Sequence, residues 1–107
     1  MSKIKVHHRN INFPTCYQAV VELNIDGSDI ESKLTQAWIQ TQNIETSWAT
    51  QSIEIMESVK ELAGHIRQRS TSVGDILEDV DTGVFRRIGC IGFSVLTKQE
   101  ILETSFN

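Results

Sequence analysis

The chain has 107 residues, 39% of them hydrophobic and 22% charged, with a formal net charge of -4 and a pI near 5.3. This is the composition of a single folded domain spanning residues 1–107, large enough to bury a core without metal or disulfide staples. The acidic balance argues against duplex nucleic acid as the main partner, since phosphate contacts need a basic face, though it leaves room for a local basic patch.

Cys16 and Cys90 are the two cysteines, too far apart in sequence for a secreted disulfide framework. They are expected as buried or half-buried thiols in a reducing compartment. Residues 1–9 carry no apolar signal core, and no apolar run approaches membrane-spanning length. The expected location is therefore the cytoplasm, with no membrane partner.

Residues 3–11 alternate, with Ile4 and Val6 apolar against Lys3, Lys5 and His7, which predicts a half-buried first strand. Pro14 fixes a turn over residues 12–15. In residues 17–25, Tyr17, Ala19, Val21, Leu23 and Ile25 recur at period two. A short helix also fits that run, but alternation through five apolar positions favours a strand, paired with the first as an antiparallel hairpin.

Asp26-Gly27 marks a turn, and Ser28 or Asp29 can cap a helix with Glu31 in its first turn. Ile30, Leu34, Ala37 and Trp38 follow at helical spacing, with the end expected near Asn43. Residues 43–47 read as a connector, followed by Trp48. Ile55, Met56, Val59, Leu62, Ala63 and Ile66 then predict a second amphipathic helix over 52–66. Arg67 and Arg69 suit the negative pole at its end.

Residues 70–75 join this helix to a strand over 76–80. Asp81-Thr82-Gly83 then reads as a three-residue hairpin loop with glycine at the position that needs positive φ. That register sets Val80 opposite Val84, Glu78 opposite Arg86 and Ile76 opposite Ile88. The opposite-charge pair would contribute about 0.2–1 kcal/mol. The returning strand over 84–96 is interrupted by Gly89 and Gly92, where a bulge or bend is expected. Residues 98–106 form a short helical or frayed tail. The sum is an α+β fold: a mostly antiparallel sheet of about four strands with two helices packed on one face.

Candidate chemistry is sparse. His7 and His8 are adjacent, so on a strand they point to opposite faces and do not share a metal ion easily. No nucleophile elbow and no phosphate-binding lysine loop is present. No cofactor and no catalytic residue is therefore assigned, and an enzyme is not expected. Arg67, Arg69, Ser70, Thr71, Ser72 and Gly74 combine guanidinium groups, hydroxyls and a turn rich in amides, a possible anion nest. Asp75 would oppose an anion unless Arg69 neutralises it; alternatively Arg69 pairs with Asp75 or with helix carbonyls. Arg86 and Arg87 form a second basic pair, one facing outward and the other within reach of Glu78. Trp48, in a connector, is a candidate anchor for a partner protein.

Three segments resemble the YodL-like family and related small proteins encoded by phages and mobile elements. They are Thr41-Gln42-Asn43-Ile44 followed by Trp48, the run Arg69-Ser70-Thr71-Ser72-Val73-Gly74-Asp75-Ile76, and Gly92-Phe93. The 69–75 run is the specific part. The sequence departs from the family in the long helical insertion between Trp48 and Arg69, and in Gln42 where relatives carry Asn. Most of that family has no assigned activity, so the resemblance implies provenance and supplies no catalytic residues. The resulting expectation is a non-enzymatic accessory protein that binds another protein through Trp48, the 69–75 turn and the outer face of Arg86 and Arg87. The alternative is a binder of a nucleotide, a phosphorylated ligand or single-stranded nucleic acid at Arg67, Arg69 and residues 70–74.

Overall fold

The structure is a computed structural model that describes residues 2–10, 12–42, 59–61 and 70–106. Its framework is an α+β sheet. The strands are β1 (Ser2–Arg9), β2 (Cys16–Ile25), β3 (Val59–Glu61), β4 (Ile76–Asp79), β5 (Val84–Ile88), β6 (Phe93–Val95) and β7 (Ser105–Phe106), with helices α1 (Ile30–Gln40) and α2 (Lys98–Glu103). The sheet order is β3-β2-β1-β4-β5-β6, and β7 returns to pair with β2. All pairings are antiparallel except β7 with β2. The strand assignment of residues 17–25 and their hairpin with β1 agree with the alternation in the sequence.

One irregularity shapes both faces. The β1–β2 register shifts after Val6, which pairs with Val21, so that His7 pairs with Ala19 and Val20 is the extra residue of a bulge. Val20 and Val21 both enter the core on one face, with Ile4, Val6, Leu23, Ile25, Leu77 and Ile88. Leu34 and Ala37 of α1 complete that core, and Ile30 and Trp38 pack against it. The opposite face carries a smaller cluster of Tyr17, Ile76 and Leu96, against which Phe85, Ile101 of α2 and Phe106 of β7 pack. The sheet thus has, among the described residues, seven strands where about four were expected, and α1 and α2 lie on opposite faces; α2 is formed by the tail and is not the second helix expected over 52–66.

Helix α1 starts where the caps place it. The Asp29 carboxylate accepts the Ser32 amide at 2.7 Å, with Glu31 in the first turn. It ends at Gln40, earlier than expected, because side chains take over its last carbonyls. Thr41 Oγ1 donates to the Ala37 carbonyl at 2.9 Å, and the Gln42 amide donates to that of Trp38 at 2.9 Å.

The expected helix over 52–66 is overturned where it is described: Val59–Glu61 is a strand on the outer edge of β2, opposite Val21–Leu23. The backbone groups of that edge are satisfied by a strand, which outweighs helical spacing. The rest of that expected helix, the connector and Trp48 lie outside the described residues.

The β4–β5 hairpin also differs from expectation. Asp79 pairs with Val84, Glu78 with Phe85, Leu77 with Arg86 and Ile76 with Arg87. Val80 therefore belongs to a longer loop. Its amide donates to the Lys3 carbonyl at 3.0 Å, while the Gly83 amide, at φ 73°, closes onto the Asp79 carbonyl at 2.8 Å. The expected strand over 84–96 is two strands, β5 and β6, reversed by a turn closed from the Gly89 amide to the Gly92 carbonyl at 2.9 Å. Cys90 sits exposed in that turn, contrary to the expectation of two buried or half-buried thiols, and Cys16 is half-buried.

Residues 71–75 tie these parts together. The Asp75 side chain is almost fully buried and accepts two backbone amides, those of Arg9 and Ser72, both at 2.8 Å. The Thr71 amide donates to the Thr41 carbonyl, and the Thr71 carbonyl accepts Trp38 Nε1 and Gln42 Nε2, both at 2.7 Å. Gly74 adopts φ 96° and packs so closely that a Cβ there would meet Arg9 Cζ at 2.9 Å. Its amide reaches the Ile88 carbonyl and its carbonyl accepts the Tyr17 hydroxyl, each at 2.8 Å. Asp75→Ala leaves two amides without their acceptor and should cost about 2–4 kcal/mol in urea unfolding, with Asp75→Asn losing about half as much. Equal stability of Asp75→Ala and wild type would contradict this role.

Candidate functional site

A cleft of about 480 Å³ opens on the sheet face that carries α2 and β7. Its floor is built from β1, β2 and β4, which contribute Lys5 and His7, Gln18 and Ala19, and Glu78. Phe85 and Phe106 form its aromatic wall. The bulge sets the small Ala19 opposite His7 and sends Val20 to the other face, which leaves the floor open.

The wall is positioned by the tail of the chain. Thr97 and Glu100 form a reciprocal capping box at the start of α2. The second Glu100 oxygen accepts Arg87 Nη1 at 2.7 Å, anchoring α2 to β5. The Thr97 amide first, and the Arg87 guanidinium second, hold the Glu100 carboxyl below its ordinary value. Beyond α2, the Ser105 amide donates to the Thr15 carbonyl at 2.8 Å, and β7 pairs beside β2. Phe106 thereby reaches Phe85, with ring centroids 4.9 Å apart, and meets His7 edge-on at 5.0 Å.

His7 is the central polar group. The residue is only about 4% exposed, and its Nε2 lies 2.8 Å from Glu78 Oε1. A carboxylate only accepts, so the neutral ring carries its proton on Nε2 and donates to Glu78. Nδ1 is buried and has no hydrogen-bond partner among the described residues. Burial pushes the His7 pKa below its ordinary value of 6.5, and the Lys5 ammonium adds to that, while the hydrogen bond and charge of Glu78 work against it. The structure therefore favours a neutral imidazole with one free lone pair.

The residues singled out in the sequence are placed apart. Trp48, Arg67 and Arg69 lie outside the described residues. Ser70 is half-buried and Ser72 exposed, while Asp75 is buried. The amides of Thr71, Ser72, Gly74 and Asp75 all donate within the protein, so these four offer no free row of donors to an anion. Arg86 and Arg87 are neighbours on one strand and so face opposite sides. Arg87 pairs with Glu100 and Glu78 with His7; the expected Glu78–Arg86 pair is not formed. His7 and His8 point apart as the alternation required, His8 Nε2 meeting Thr71 Oγ1 at 2.9 Å. The His7–Glu78 pair was not foreseen. Its members are 71 residues apart, and the available signal was that Lys5 and His7 alternate against the apolar Ile4 and Val6.

Among the described residues no group of three or more His, Cys, Asp or Glu side chains is arranged to hold a metal ion. No helix among them is long and apolar enough to cross a membrane. Comparison of the chain with protein-family models, with curated proteins and with solved structures returns no match in any of the three.

The His7 ring should titrate below 6.5 in a proton NMR titration, and Glu78→Gln, which removes the carboxylate charge, should lower it further; a rise would contradict the assignment. Because the folded value is depressed, this group's contribution to stability is complete above pH 6.5 and is lost as pH falls through the folded value.

Proposed function

We propose that this chain is a small non-catalytic accessory protein, of phage or mobile-element origin, that acts by binding another protein. The resemblance of the 69–75 run to YodL-like proteins supports the provenance. The observation that carries the binding mode is the edge of the sheet. Strand β6 ends the strand order, and among the described residues no strand pairs with its outer side.

The chemistry of that edge can be read from its inner hydrogen bonds. The Leu96 amide donates to Phe85 and the Gly92 carbonyl accepts Gly89, so even-numbered residues face β5. The backbone groups of Phe93 and Val95 consequently face outward, free to pair with an added strand. Val95 is 59% exposed and Ile91, in the adjoining turn, 95% exposed, giving apolar side chains beside the open edge. Strand addition draws affinity from main-chain bonds and specificity from neighbouring side chains, which matches this combination. The rival reading, a phosphorylated ligand held by the 70–74 turn, loses support because the amides of Thr71, Ser72 and Gly74 are already bonded within the fold.

Proline at position 95 removes an outward donor without breaking a β5–β6 bond. Affinity capture from host lysate should return one stoichiometric partner with wild type and with Ile39→Ser, an exposed position on α1. Val95→Pro should weaken capture by about ten-fold or more. Equal capture by Val95→Pro, with a melting temperature near that of wild type, would overturn the edge as the binding surface.

A further inference from the structure

The cleft over His7 offers chemistry that strand addition at β6 does not use. We propose that it is a binding site for a small planar aromatic anion that presents an N–H or O–H donor to His7 Nδ1. This is independent of the β6 edge and concerns a second, small-molecule ligand.

Three observations fix the chemistry of the occupant. The first is the unpartnered Nδ1, buried on a ring that lines the cleft. With Nε2–H committed to Glu78, Nδ1 is an acceptor that takes a donor from water in the cleft or from a ligand that displaces it. The second is the aromatic wall. Phe85 and Phe106 are both half-buried, so part of each ring remains open to a flat ligand. The third is Lys5, half-buried at the cleft, opposite Glu78 across the β1–β4 ladder and Glu22 across the β1–β2 ladder, with neither carboxylate paired to it. Its ammonium has no ion-pair partner among the described residues, whereas Glu78 already accepts from His7. A carboxylate on the ligand can therefore pair with Lys5. The cleft volume lies within the range of roughly 300–1,000 Å³ usual for small-ligand sites and admits one or two fused rings.

A matched set of indoles separates these contributions. Indole-3-acetate carries ring, donor and carboxylate; 1-methylindole-3-acetate lacks the donor; indole lacks the carboxylate. Added at millimolar concentration to ¹⁵N-labelled protein, indole-3-acetate should shift the His7 Nδ1 resonance and the ring signals of Phe85 and Phe106. The N-methyl compound and indole should each bind about ten-fold more weakly. Lys5→Gln should reduce indole-3-acetate to the level of indole while leaving indole unchanged. The proposal is overturned if the N-methyl compound binds as tightly as its parent, if Lys5→Gln weakens both ligands equally, or if none of the three moves the His7, Phe85 and Phe106 signals.

Discussion

A buried carboxylate that must be satisfied governs this fold. Asp75 is removed from water and meets that demand with two backbone amides, one from Arg9 at the end of β1 and one from Ser72 in its own turn. A carboxylate in that position without such donors would be costly, so the chain at residues 8–10 and 70–75 is held in one arrangement. The neighbouring bonds extend the constraint outward. Thr71 fastens the end of α1, Gly74 reaches β5 and β2, and the His8 ring closes on Thr71. Gly74 takes φ 96°, a backbone conformation that residues with a side chain rarely adopt, which explains the glycine beside the aspartate.

That joint has consequences for both faces of the sheet. With His8 and Arg9 tied to it, the end of β1 cannot slide, and His7 must project to the opposite side. The bulge at Val20 then determines what His7 sees: a small alanine across the ladder instead of a valine. On the α1 side the same bulge adds Val20 to the core. The tail completes the second face, because the segment from β6 through α2 to β7 leads from one end of the sheet to the outer edge of β2. Arg87–Glu100, the capping box and the Ser105 amide on the Thr15 carbonyl are among the polar contacts along that path.

Much of the frame was legible in local pattern. The alternation in residues 3–25 marked β1 and β2, Asp29 marked the start of α1, and the strand expected after residue 75 begins at Ile76. The hairpin register was not legible, because Ile76 and Leu77 are both fully buried. A strand covered on both faces has no period-two pattern to align. Charge matching of Glu78 with Arg86 was then the wrong guide, since Glu78 answers to a histidine on a different strand. The reversal at 89–92 was read as a bend within one strand, although Gly92 at φ 70° supplies a full turn. The cleft was beyond local reading altogether. It assembles residues from β1, β2, β4, β5 and β7, and Phe106 belongs to a tail whose pairing with β2 depends on the curl of the whole sheet.

The central claim is that the Asp75 joint is the part of the molecule that opens last. Native-state amide hydrogen exchange on the unmodified chain tests it directly. The amides of Arg9, Ser72 and Gly74 should exchange only through global unfolding, with the same free energy and denaturant dependence as the central β1–β2 ladder. Exchange of these three amides by a local opening of low denaturant dependence, while the β1–β2 ladder stays protected, would contradict it.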